Sequence, residues 1–137
     1  MKFDFFIPDS LQKELERLAN FDEIAPKMLD AATPIIEESI KRHLASHKRS
    51  GDLIKSVSAH KAKVSKGVYV GEVKFDGTSK HRYKRRSQTV ANAQKAVSLE
   101  YGTSKQRATP FLSQAVNDVE TQVVQKMQDV FNEEVRK

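Results

Sequence analysis

Apolar residues recur at helical spacing between residues 22 and 47, where Ile24, Met28, Ala31 or Ala32, Ile35, Ile36, Ile40 and Leu44 share one face and charges take the other. This pattern predicts a long amphipathic helix from Asp22 to His47. Pro26 suits its first turn, but Pro34 lies well inside and would clash with the carbonyl of Asp30. The expectation at Pro34 is a bend, or a break in which Thr33 caps a new helix. A second stripe runs through Leu112, Val116, Val119, Val123, Met127 and Val130, widened by Phe111, Ala115, Val124 and Phe131, and predicts a helix from Pro110 to about Val135. That breadth exceeds a coiled-coil seam and suits packing on a sheet and a second helix, with part of it available as an intersubunit face.

Between the two helices the period shortens. Val57 and Ala59, then Ala62 and Val64, alternate with polar residues and change parity around His60-Lys61, while Val68 and Val70, then Val73 and Phe75, break at Gly71. Two strands joined near Ser65-Lys66-Gly67, irregular at roughly facing positions, read as a twisted or bulged hairpin with one face on the helices. At the start of the chain, Phe3, Phe5, Phe6 and Ile7 predict a short strand or an extended arm over residues 1–8, ended by Pro8. Asp9 or Ser10 can then cap a helix with Leu11, Leu15 and Leu18 on one stripe. Arg49 to Val57 turns out of the long helix, with Ser50 a cap for a short helical turn.

Residues 98–112, Ser-Leu-Glu-Tyr-Gly-Thr-Ser-Lys-Gln-Arg-Ala-Thr-Pro-Phe-Leu, carry the strongest local punctuation. The alanine-rich run from Thr89 to Val97 leads into them. Leu99 and Tyr101 alternate with Ser98 and Glu100, or close a helical turn, and Gly102 can take the left-handed conformation that ends either element. Thr109 offers a capping oxygen and Pro110 a preset φ for the first turn of the next helix, which opens on Phe111 and Leu112. Glu100, Tyr101, Gly102, Thr103, Thr109, Pro110, Phe111 and Leu112 therefore form a structural elbow.

Composition narrows the functional classes. At 137 residues the chain is read as a single domain, 1–137, with one modest core. There is no cysteine, so disulfides and thiolate metal sites are excluded. The opening apolar stretch is too short for a secretory core or a membrane span, and no membrane partner is expected. The formal charge of +6 is unevenly spread. Residues 41–107 hold 17 Lys and Arg against four acids, a balance of +13, and the flanks hold the other seven basic residues and 14 acids, a balance of −7. Gly77 to Gln88 concentrates this charge in Lys80, His81, Arg82, Tyr83, Lys84, Arg85 and Arg86 with almost nothing apolar to bury. It is expected to be a mobile basic loop. Lys80, Arg82, Tyr83, Lys84, Arg85 and Arg86 are the expected partner contacts, with Glu37, Glu38, Glu133 and Glu134 of another copy as acidic neighbours.

Catalytic chemistry finds no foothold. The five glycines form no phosphate-binding loop, no serine sits in a glycine-flanked elbow, and the acids lie mainly on helix faces. His43 and His47 are four apart, but the glutamate of a zinc-protease motif is missing and no third ligand is evident, so they read as solvated surface histidines. The expectation is no enzyme, no cofactor and no metal.

The order E-Y-G-T-S-K, a few polar residues, then P-F-L and a small-residue helix resembles the hallmark of the gene-ten-product-like family of tail-component or head-tail morphogenesis proteins of long-tailed bacteriophages and prophages. Glu100, Tyr101, Gly102, Thr103, Ser104, Pro110, Phe111, Leu112 and Ala115 carry the resemblance. A weaker match runs from Arg49 to Val57, where Ser50 and Asp52 depart from the family's threonine and asparagine and its preceding proline is absent. The resemblance implies a tail-completion or head-tail joining (neck) subunit that assembles as a ring. Its partners would be further copies of itself and other phage neck or tail proteins, with non-specific contact to DNA. Its location would be the virion, and the host cytoplasm during assembly. The alternative from the residues alone is a nucleic-acid-binding module using the basic segment 41–107; a toxin-like or regulatory prophage protein is a third class with nothing specific in its favour. The expected architecture is α+β, a small antiparallel sheet centred on the bulged hairpin and packed by a long kinked N-terminal helix and a long C-terminal helix.

Overall fold

A computed structural model describes residues 2–6, 8–11, 21–46, 51–83 and 85–135 of the chain. It has the α+β architecture expected, with two small antiparallel sheets and long helices near either end. In chain order the elements are β1 (Lys2–Phe6), α1 (Phe21–Leu44), α2 (Gly51–Ser56), β2 (Val57–Ser65), β3 (Val68–Phe75), β4 (Thr78–Tyr83), β5 (Arg86–Ala91), α3 (Asn92–Tyr101) and α4 (Phe111–Val135). The stripe through Leu15 and Leu18, the histidine at 47 and the cap at Ser50 lie outside the described residues.

The helix over residues 21–44 is continuous through Pro34, where a break was one of two expectations. Pro34 and Asp30 are both exposed, so the carbonyl of Asp30 that loses its intrahelical partner can be hydrated. Ala32, Ile36, Ile40 and Leu44 on the opposite face stay locked in the core. α4 begins one residue after the expected Pro110 and ends at Val135 as predicted. The two long helices run antiparallel: Lys27 pairs with Glu134 at 3.0 Å near one end, and His43 with Asp118 at 2.8 Å near the other. Between them the buried Ser39 hydroxyl donates to the Ala115 carbonyl at 2.8 Å. Small residues at that crossing let the backbones approach closely. Val124 is 62% exposed and lies outside the buried stripe that the sequence had assigned it to.

The first sheet has the order β1-β3-β2, all antiparallel. The opening segment is thus a strand on the edge of β3 rather than a free arm. Phe5 lies opposite Gly71, and a Cβ at Gly71 would come within 3.0 Å of both the Phe5 ring and the Thr33 methyl. Glycine there leaves room for the Phe5 ring beside the Thr33 methyl. Val73 and Phe75 face the core, and Phe75 meets Phe111 edge-on with ring centroids 6.0 Å apart. The irregularity expected of the hairpin resides in β2 alone: the register passes from His60↔Glu72 to Lys63↔Val70, one extra residue in β2, while β3 continues regularly through Gly71. The bulge is held from outside by α1, whose Asp30 and Glu37 carboxylates accept the backbone N–H groups of Ala62 at 2.7 Å and Ala59 at 3.1 Å. Occupied in this way, the outer edge of β2 offers fewer free donors to another strand.

Candidate functional site: a capped elbow and a basic hairpin

The expected elbow is present, and its chemistry centres on Glu100 rather than Thr109. The first i→i−4 bond of α4 runs from Gln114 N–H to the Pro110 carbonyl, which leaves the amides of Leu112 and Ser113 without intrahelical partners. The Glu100 carboxylate, in the last turn of α3, accepts both, from Leu112 at 2.8 Å and Ser113 at 3.3 Å, and the Ser113 hydroxyl at 2.6 Å. Only 5% exposed, it places a negative charge at the positive end of the α4 dipole. Thr109 serves through its backbone: its N–H donates to Leu99 at 2.7 Å and its carbonyl accepts from Phe111 at 2.7 Å.

The nine residues between the helices, Gly102 to Pro110, include a tight turn. Thr103 and Gln106 pair as an isolated antiparallel bridge, and the Thr103 hydroxyl accepts the amide of Lys105 at 3.2 Å. Gly102 has φ +78°, and a Cβ on it would fall 2.7 Å from the Ala108 nitrogen. Both the conformation and the space demand glycine. Pro110, Phe111 and Leu112 open α4 with two buried apolar anchors. Tyr101, by contrast, is 73% exposed and adds nothing to the elbow's interior.

At the other end of α3 the sequence reading needs correction. The segment expected to be a loop, Gly77 to Gln88, belongs to a two-stranded hairpin in which Thr78–Tyr83 pairs with Arg86–Ala91, from Thr78↔Ala91 to Tyr83↔Arg86. Its strands lack the apolar alternation that reveals a half-buried strand, which is why periodicity missed them. Lys80, His81, Arg85 and Arg86 are exposed. Arg82 stands opposite Ser87 and Tyr83 opposite Arg86, and Lys84 lies outside the described residues. The hairpin is clamped at its base by the buried Asn92, whose Nδ2 donates to the Asp76 carbonyl at 2.9 Å and whose Oδ1 accepts from the Ser79 hydroxyl at 2.6 Å. Lys95 closes the clamp from the next turn of α3, 2.5 Å from the Ser79 hydroxyl.

The remaining charged groups divide unevenly. Of the four acids expected to receive the basic arm, Glu37 already holds Lys41 and the Ala59 amide, and Glu134 holds Lys27; Glu38 and Glu133 are exposed. His43 is no solvated surface group: its ring bridges the Ser39 carbonyl at 2.9 Å and the Asp118 carboxylate at 2.8 Å. Sequence reasoning missed Glu72, which is 2% exposed and receives Lys63 at 2.6 Å, Lys2 at 3.1 Å and Lys74 at 3.2 Å. The Lys63 ammonium bonded to it, with Lys2 and Lys74 beside it, holds the Glu72 carboxyl down at about 2 despite its burial. An acid amid lysines at alternating strand positions was the one available signal. Among the described residues no three His, Asp or Glu side chains gather as metal ligands, and no helix is long and apolar enough to cross a membrane.

Compared with protein-family models, curated proteins and solved structures, the chain matches none.

Proposed function

We propose that this protein is a structural subunit of a long-tailed phage or prophage virion, a tail-completion or head-tail joining protein that assembles with copies of itself as a ring at the neck or tail end. The observation that carries this reading is the β4-β5 hairpin: a two-stranded sheet exposed along most of its length and rich in cationic side chains. A lone two-stranded sheet is marginal in water and gains stability when another surface covers it. The elbow supports the same reading, because the residues that carry the family resemblance build a rigid frame around α3, with the hairpin at one end and the long α4 at the other. Exposed arginines at positions 85 and 86 suit acidic surfaces, with which they form paired charge-assisted hydrogen bonds.

The test is native mass measurement and negative-stain microscopy of the purified protein, alone and with its neighbouring gene products. Closed rings of uniform copy number are expected. A strict monomer under all these conditions, binding duplex DNA tightly at physiological salt with a steep log-log slope, would overturn the proposal in favour of a nucleic-acid-binding module.

A further inference from the structure

The outer face of the three-stranded sheet, away from the helices, has a regular layout. Side chains alternate across a pleated strand, so the register puts Phe6, Val70 and Lys63 in one row of that face and Asp4, Glu72 and His60 in the next. Lys2 and Lys74 pair in the third row. Lys63 reaches this face only because of the bulge in β2: with a regular ladder after His60↔Glu72, Ala62 would stand opposite Val70 and Lys63 would turn toward the helices. Asp30 and Glu37 of α1, by binding the amides on either side, fix the bulge in place.

Two features of this face do nothing evident for the fold. The first is Phe6, 62% exposed beside Val70 on an otherwise polar surface, while its neighbour Phe5 packs into the core. The second is an excess of cation: three lysines, one from each strand, converge on the single buried Glu72, and Asp4 adds only a 3.5 Å contact to Lys2. Each ammonium has three N–H donors, so most are left over after Glu72 is satisfied, and Lys2 and Lys63 are about half exposed. Glu72 gathers the lysines; it does not neutralise them.

We infer that this sheet face binds a short stretch of single-stranded nucleic acid, with one unpaired base stacked on Phe6 and the neighbouring phosphates held by Lys63, Lys2 and Lys74. An exposed ring beside clustered cations on an open sheet is how sequence-tolerant single-strand binding is built, since every base offers a π-face and a duplex hides it. An acidic peptide would use the lysines and leave Phe6 idle. The three strands, spaced about 4.8 Å apart, span room for two or three nucleotides. This inference does not rest on the assembly reading, because the hairpin lies in a different sheet.

The experiment is fluorescence anisotropy of the full chain with a labelled oligothymidine of about 12 nucleotides, a duplex of equal length and polyglutamate. The expected results are preference for the single strand and a log-log salt slope near −2, about −0.7 per lysine contact. Phe6→Ala should weaken binding by about 5- to 100-fold at unchanged melting temperature. Lys63→Gln should weaken it and reduce the slope by about 0.7. No binding to the single strand, equal binding of duplex or polyglutamate, or indifference to Phe6→Ala would each overturn it.

Discussion

The two ends of α3 present opposite solutions to leaving a helix. At its C-terminal end, the polar groups of the elbow are consumed internally: Glu100 takes the free donors of α4, Thr109 ties back to Leu99, and Gly102 fits where no side chain could. At its N-terminal end, Asn92 anchors a hairpin whose further residues mostly face solvent and contribute little buried area. Glu100, Gly102, Phe111 and Leu112 of the elbow are therefore explained by the fold itself, whereas Tyr101 is not. The cationic residues of the hairpin are not, and residues that the fold does not use are where an external partner is best sought.

This contrast predicts a graded series of effects. Phe111→Ala, which empties the core position beside Phe75, should cost about 3–5 kcal/mol in a denaturant titration. Glu100→Ala should cost about 2–3 kcal/mol, since it strips a buried helix start of its charged acceptor. Gly102→Val should fall in the same range because it combines a left-handed backbone with a backbone collision. A cost under about 0.5 kcal/mol for Glu100→Ala would mean that water caps α4 equally well and would dissolve the contrast.

Glu72 sharpens the comparison, being a second buried carboxylate held by ion pairs with lysines instead of hydrogen bonds from amides. Its folded pKa of about 2 lies below the ordinary 4.5, so its stabilisation is complete above pH 4.5 and disappears as pH falls toward 2. The unfolding midpoint of the parent protein should decline across that window more steeply than that of Glu72→Gln. At neutral pH the variant should be weaker by about 1–2 kcal/mol, a moderate loss because the half-exposed lysines regain water. Parallel acid profiles for the two proteins would show that the lysines do not hold the carboxylate.

Smaller effects belong to the hairpin. Asn92→Ala should cost about 1 kcal/mol globally while raising amide exchange in β4 and β5 well above that in α4. Uniform acceleration across the molecule would mean that the hairpin is part of the main cooperative unit. Arg85→Ala and Arg86→Ala should each change stability by less than about 0.5 kcal/mol.

What the sequence made legible follows the range of the interactions involved. The bounds of α4 and the irregularity of β2 near His60 were readable because periods of 3.6 and 2 are imposed by burial along a contiguous stretch, whereas the matching break expected at Gly71 is absent because glycine there makes room for Phe5 within a regular strand. β4 and β5 were not, since their pairing buries no apolar face and so leaves no period to read. The elbow was located correctly but its cap was misassigned: Thr109-Pro110 is a strong local signal, and the carboxylate that does the capping stands 12 residues before Leu112. Glu72 escaped notice for the same reason, its three lysines coming from three strands that only the folded sheet brings together.

The claim at the centre of this account is that the hairpin is surplus to folding and necessary for assembly. Native mass measurement of the parent protein beside the double variant Arg85→Glu with Arg86→Glu, with the melting temperature of each, tests it most directly. The account predicts a closed ring for the parent and a folded, lower-mass species of nearly equal melting temperature for the variant. The same ring mass for both proteins would contradict it.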